Sequence, residues 1–100
     1  MADTRRTVTV RIEGRVQGVY FRAWTDRIAR SLGLDGWVRN REDGSVEAVF
    51  SGPPEQVDAM LRHCADGPTD AKVTKVTITD EGGAPPSGFK VMGADHWQFR

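Results

Sequence analysis

The stretch Gly14-Arg15-Val16-Gln17-Gly18-Val19-Tyr20-Phe21-Arg22 joins an alternating apolar run to a helical pattern, which predicts a turn between a strand and a helix. A helix start favours anions, because its first N–H groups have no partner within the helix and its dipole is positive there. Gly14 and Gly18 allow the backbone to curl, so that successive N–H groups point towards one place. Arg22 adds a planar fork of donors suited to phosphate. We predict a small phosphate-binding loop, although a tight turn without a ligand is the commoner use of two such glycines.

The segments on either side of this loop predict a first strand and a first helix. Residues 7–13 alternate strictly, with Val8, Val10 and Ile12 on one face, as in a half-buried strand. From Phe21 onwards the apolar residues recur at helical spacing. Gly33 can take a left-handed conformation at little cost and is predicted to end the helix. The predicted buried stripe of this helix comprises Phe21, Trp24, Thr25, Ile28 and Leu32.

The middle of the chain predicts a hairpin and a second helix. A second strand covers residues 37–40, residues 41–44 form a turn in which Gly44 supplies a positive φ, and a third strand covers residues 45–51. Pro53 and Pro54 suit a helix start, and Asp66-Gly67-Pro68 ends the helix. The apolar stripe of this helix comprises Val57, Met60, Leu61 and Cys64.

The last third of the chain predicts two further strands. In the fourth, residues 72–79, Val76 and Ile78 are predicted to face inward. Val73 is out of step with them, which indicates either a bulge or a later start of the strand. A loop rich in glycine and proline leads to a short fifth strand around residues 89–91. We predict a domain over residues 1–92 and a polar tail over residues 93–100, in which the pattern does not place Trp97 and Phe99.

The order of elements predicts an α+β fold of the ferredoxin-like type. In this split βαβ sandwich (βαββαβ), an antiparallel sheet carries both helices on one face. The first and second strands run parallel with the third between them, so their carboxyl ends lie at one edge of the sheet, roughly 10 Å apart. The 14–22 loop would therefore lie close to Asn40, although an asparagine at a strand end is more often a turn residue.

Composition narrows the class of protein further. At 100 residues the chain is predicted to be one free-standing domain, and its 14 acidic and 14 basic residues create no overall field that would attract nucleic acid or a membrane. The single cysteine, Cys64, cannot form an internal disulfide and fits a reducing compartment. No apolar run approaches the roughly 20 residues needed to cross a bilayer. We therefore expect a cytoplasmic monomer with no nucleic-acid or membrane partner.

Two motifs together resemble the acylphosphatase family. The 14–22 stretch resembles the family signature, and a second family motif resembles residues 36–40, Gly36-Trp37-Val38-Arg39-Asn40, followed by Asp43-Gly44-Ser45-Val46-Glu47. The resemblance covers roughly residues 7–92 and implies a ferredoxin-like fold. The implied activity is hydrolysis of an acyl phosphate to a carboxylate and inorganic phosphate, with no cofactor and no metal. The family chain usually ends soon after the region resembling residues 89–91, whereas this one continues.

The resemblance also implies which residues form the site. Arg22 and Asn40 correspond to the catalytic arginine and asparagine of the family. The family's phosphate-binding loop corresponds to Arg15, Val16, Gln17, Gly18, Val19 and Tyr20.

Other functions remain to be weighed against this enzyme, and the first is a ferredoxin-like module that binds phosphate or nucleic acid without catalysis. The same sandwich can bind RNA through aromatic residues on its open sheet face, but the outward residues Thr7, Thr9 and Arg11 do not supply them. A related domain could also serve within a larger maturation enzyme that acts on carbamoyl phosphate.

The other prominent side chains are predicted to have no catalytic role. Trp24, Trp37 and Cys64 are predicted to be core residues. Glu42 and Asp43 are predicted to lie at a solvated hairpin tip, and His63 and Cys64 point about 100° apart on their helix and cannot form a nucleophile pair.

Overall fold

The computed structural model describes residues 4–93, which form five strands and two helices. These are β1 (Arg6–Arg15), α1 (Phe21–Ser31), β2 (Asp35–Asn40), β3 (Val46–Gly52), α2 (Pro54–Asp66), β4 (Lys72–Glu81) and β5 (Phe89–Val91). The predicted order of elements is confirmed, and β1, β2 and β4 are longer than their apolar alternation indicated. Within the described residues, neither helix combines the length and the apolar character that crossing a bilayer requires. Trp97 and Phe99 lie outside the described residues.

The sheet has the strand order β4-β1-β3-β2-β5, with β3 antiparallel to both β1 and β2. The first two strands are therefore parallel, with β3 between them, and the ferredoxin-like prediction is confirmed. The prediction of an antiparallel sheet is wrong at one edge, because β5 pairs parallel with β2, with Gly36 opposite Phe89. The chain leaves β4 at the end of the sheet where β2 begins, and residues 82–88 cross that end to the far edge. Because β5 starts at the end of the sheet where β2 begins, it runs parallel to β2.

Strand β4 carries two irregularities in its pairing with β1. Glu13 pairs with Lys75 while Gly14 pairs with Val73, so β4 has one extra residue there, and a second shift follows Thr9. Of the two explanations predicted for Val73, the bulge is observed and the later strand start is not, because β4 begins at Lys72. Val73 packs against the core. Ile78 pairs with the buried Val10 and therefore lies on the inward face, as predicted, but on this edge strand it remains 40% exposed.

The core lies between the helices and one face of the sheet. The predicted inward face of β1 is confirmed. The core members that are completely buried are Val8, Val10, Ile12, Ala29, Val38, Val46, Ala48, Phe50, Val57, Met60 and Cys64. Trp24 packs against this cluster from α1, as predicted.

The core assignment of Trp37 is wrong. Side chains alternate along a strand, so Val38 on the core face turns its neighbours to the open face. The indole of Trp37 lies there, only partly buried, and the Arg39 guanidinium carbon is 5.5 Å from its ring centroid.

Gly36 allows β2 and β3 to lie close together. It has φ 138°, and a Cβ at this position would overlap the backbone carbonyl of Val49. Gly82 has φ 107°, and a Cβ at this position would have no described atom within 4 Å apart from those of the adjacent residues. Alanine would be strained by the positive φ at either position, but only Gly36→Ala also adds overpacking, which costs about 1–3 kcal/mol. We expect urea unfolding to show Gly36→Ala less stable than Gly82→Ala by about this amount, and equal losses would contradict the close approach.

Candidate active site

The loop between β1 and α1 has the curled backbone that its glycines predicted. Gly18 has φ 75°, and Tyr20, at the N-cap of α1, has φ 64°. The Tyr20 carbonyl accepts the first helical hydrogen bond, from the Trp24 N–H at 3.0 Å. Within the described chain, no atom accepts a hydrogen bond from the backbone N–H groups of residues 16–20. With the first turn of α1, this loop therefore presents a series of unpaired donors at the positive end of a helix.

A cavity of about 440 Å³ lies at this loop and contains the two predicted catalytic side chains. Asn40 reaches it because it lies on the same face of β2 as the buried Val38, at the carboxyl end of the strand. Arg22 reaches it from the first turn of α1. The residues that line the cavity are Val16, Gly18, Tyr20, Phe21, Arg22, Ala23, Asn40 and Val91. The convergence of Arg22 and Asn40 that the topology predicted is therefore observed.

Arg22 is held by the segment that follows β5. Its Nη1 donates a hydrogen bond to the Met92 carbonyl at 2.8 Å, and the Met92 N–H donates to the Val38 carbonyl at 2.8 Å. A guanidinium has five N–H donors, so this contact orients Arg22 and leaves other donors for an anion. The sequence carried no signal for the contact, because any residue at position 92 supplies a carbonyl.

Asn40 is followed directly by a turn that its own hydrogen bonds close. The Arg41 N–H donates to the Ser45 carbonyl at 2.9 Å, and the Gly44 N–H donates to the Arg41 carbonyl at 3.2 Å. One Asp43 carboxylate oxygen accepts both the Ser45 hydroxyl, at 2.6 Å, and the Ser45 N–H, at 2.9 Å. These bonds, with the hydroxyl as the larger cause, lower the pKa of Asp43. The Asn40 side chain itself makes no hydrogen bond to any residue in the described part of the chain.

Gln17 contacts this turn with its side chain. Its Nε2 donates to the Arg41 carbonyl at 2.7 Å and to the Ser45 carbonyl at 2.8 Å. The carboxamide is thus bound to the β2–β3 turn, which leaves the backbone N–H of Gln17 as its available donor to a ligand. The sequence placed Gln17 in the loop, but it could not show this contact with backbone atoms.

The remaining loop residues have separate environments. Arg15 is exposed at the end of β1 and does not line the cavity. Val16 and Val19 are 1% and 7% exposed and belong to the core, so they hold the loop against the protein. Tyr20 is 83% exposed. In Val16, Val19 and Tyr20, the backbone is therefore the part suited to contact phosphate.

The other candidate groups do not form a second site. Cys64 is completely buried, and burial raises the pKa of its thiol to about 12, which confirms its assignment as a core residue. His63, its neighbour, is exposed. Within residues 4–93, no three His, Cys, Asp or Glu side chains are grouped in a way that could hold a metal ion.

Fold and site together define a ferredoxin-like α+β protein in which a loop with unpaired N–H donors among the described residues precedes the first helix. The acylphosphatase family model matches residues 8–91. The acylphosphatase of Rhodospirillum rubrum is 50% identical over 84 residues, which cover 84% of this chain and 92% of that protein. The chain belongs to the acylphosphatase family. It is therefore an enzyme that hydrolyses the carboxyl–phosphate anhydride bond of small acyl phosphates.

Solved structures agree with this assignment. An acylphosphatase from Coxiella burnetii superimposes with a TM-score of 0.83 at 32% identity, over 88% of this chain and 93% of that one. T. kodakarensis HypF superimposes with a TM-score of 0.77 at 26% identity, over 90% of this chain but only 12% of that one. The same fold thus also occurs as a small part of a larger protein.

Proposed function

We propose that acyl phosphates are hydrolysed in the cavity between the 15–20 loop, Arg22 and Asn40. The phosphoryl group is held by the backbone N–H groups of the loop and by the Arg22 guanidinium. The Asn40 carboxamide orients the attacking water. The proposal is carried by one observation, that unpaired loop donors, Arg22 and Asn40 all meet at a single cavity.

The chemistry of the substrate explains why these residue types suffice. A carboxylate is a good leaving group from a mixed anhydride, so the reaction needs no protein nucleophile. Catalysis of phosphoryl transfer depends mainly on positioning and on neutralising charge on the phosphoryl oxygens. Arg22 and the loop N–H groups supply that neutralisation, and their location at a helix start adds to it.

Asn40 suits the water because a carboxamide is both donor and acceptor. The side chain makes no hydrogen bond to another described residue, so both of its ends are available. An amide is too weak a base to deprotonate water, and we assign the proton to an oxygen of the substrate. The scheme uses no metal and no cofactor.

Two measurements test this proposal. We expect the protein to hydrolyse benzoyl phosphate at an undiminished rate in the presence of excess chelator. We also expect inorganic phosphate to shift the amide resonances of residues 16–20 in a ¹⁵N–¹H spectrum, with smaller shifts on the open sheet face. A rate that falls with chelator would contradict the metal-free scheme, and shifts centred elsewhere would contradict the location.

We further propose a cytoplasmic monomer that binds neither nucleic acid nor membrane. Its charges balance and its cysteine is a buried free thiol, in keeping with a reducing compartment. The open sheet face carries Trp37, but the Arg39 beside it pairs with Glu47 at 2.7 Å, which balances the charge of the cation nearest the ring among the described contacts. This arrangement disfavours stacking by a nucleic acid. The catalytic domain that we propose is residues 1–92, with residues 93–100 as a tail.

A further inference from the structure

We propose that Gln17 is a positioning residue that sets the placement of Asn40 relative to the phosphate-binding loop. The inference rests on the proposed site and adds a residue that acts on the reaction without touching substrate through its side chain. Gln17 is a member of the loop, while Asn40 belongs to β2. The side chain of Gln17 links these two parts of the site directly.

The geometry of the link is specific. Both acceptors of the Gln17 amide are backbone carbonyls, at 2.7 Å on Arg41 and 2.8 Å on Ser45, and the side chain is partly buried. Arg41 follows Asn40 in the chain, and Ser45 lies at the other end of the same turn. The amide therefore joins the loop to both sides of the turn that continues from Asn40.

The turn does not need Gln17 in order to close. The Ser45 carbonyl already accepts the Arg41 N–H, and the Arg41 carbonyl already accepts the Gly44 N–H. Without the Gln17 amide, each carbonyl keeps one partner, so neither becomes a buried group without a hydrogen bond. Only the link between loop and turn is lost.

The consequence for catalysis follows from the need for alignment. The loop holds the phosphorus and Asn40 holds the water, and a misplacement of about 1 Å between reacting groups can cost about a hundredfold in rate. Phosphate affinity depends on the loop and Arg22 and does not require Asn40. Loss of the link should therefore lower kcat more than it weakens phosphate binding.

Gln17→Met removes the donors and nearly keeps the shape of the side chain. We expect kcat for benzoyl phosphate to fall by about ten- to a hundredfold, with the dissociation constant of inorganic phosphate changed by less than about threefold. Gln56→Met is the matched control, since Gln56 lies in α2 and its side chain makes no hydrogen bond to a described residue. That variant should keep the kcat of wild type.

A double-mutant cycle separates positioning from a general structural effect. If Gln17 acts through Asn40, Gln17→Met should cost little further activity in an Asn40→Ala background. Full, multiplicative losses in the double variant would overturn the proposal, as would an unchanged kcat in folded Gln17→Met.

If Gln17→Met does not fold, Gln17→Asn tests the same claim, because it keeps the amide but is one methylene too short. It should also lose kcat, and a wild-type kcat would overturn the proposal. An inactive wild type would overturn the proposed function together with this inference, whereas an active wild type with normal Gln17→Met overturns the inference alone.

Discussion

Arg22→Ala is expected to lower kcat/KM for benzoyl phosphate by about a thousandfold, close to 4 kcal/mol of transition-state stabilisation. Among the described residues, Arg22 is the only arginine that lines this cavity, and its hydrogen bond of 2.8 Å to the Met92 carbonyl orients it. Its charge opposes the charge that gathers on the phosphoryl oxygens. Because the ground-state phosphate is also anionic, the affinity for inorganic phosphate should fall as well. Steady-state kinetics and phosphate titration measure the two effects.

Two further variants make the Arg22 prediction specific. Arg22→Lys keeps the charge but loses the planar fork of donors, so its activity should lie between wild type and Arg22→Ala. Arg27→Ala removes an exposed arginine of the same helix that does not line the cavity, and its kcat/KM should stay within about twofold of wild type. The fold should persist in Arg22→Ala, because β5 is also held by pairing with β2 and by Arg30, which donates to the Phe89 carbonyl at 2.8 Å. A folded Arg22→Ala with activity near wild type would contradict the proposed site.

Asn40→Ala is expected to lower kcat by at least about a hundredfold, the usual cost of removing one well-placed polar group from a reacting centre. Phosphate affinity should stay close to that of wild type, because Asn40 is proposed to hold the water and not the phosphate. The variant thus differs from Arg22→Ala, in which phosphate binding and turnover both fall. Inhibition by inorganic phosphate, measured beside kcat, separates the two roles.

The stability of Asn40→Ala provides the control. The Asn40 side chain makes no hydrogen bond to another described residue, so its removal should change the free energy of unfolding by no more than about 0.5 kcal/mol. Loss of activity with unchanged stability would assign Asn40 to the reaction. A variant that loses activity only because it unfolds would count against that role, and so would one with full activity.

Sequence periodicity predicted most of the fold because most of the chain packs against a single core. In β1, strict alternation indicated which residues face that core, since side chains on a strand point to opposite faces. Val73 is out of step with Val76 and Ile78 in the sequence, and β4 has a bulge at this place. At the edge and on the open face of the sheet, the patterns did not predict burial. Ile78 has the predicted face but is exposed on an edge strand. Trp37 lies on the open face, where a large apolar side chain covers the sheet without entering the core.

The direction of β5 was decided by the path of the chain. The three residues of β5 are too few for their sequence pattern to distinguish a parallel from an antiparallel strand. The end of the sheet at which β4 stops, and the crossing of that end by residues 82–88, leave β5 only one direction. This edge matters for the site, because Met92 follows β5 and orients Arg22.

The sequence by itself determined the residue types of the proposed site and their places in the chain. Glycines at 14 and 18, Arg22 in the first helical turn and Asn40 at a strand end are local features, and strand order then brings them to one edge of the sheet. Tertiary structure alone decided which contacts hold them there. Arg22 bonds to the carbonyl of Met92, and Gln17 bonds to the carbonyls of Arg41 and Ser45. Every residue has a backbone carbonyl, so such acceptors leave no trace in the sequence and are selected only when the folded chain brings them within reach.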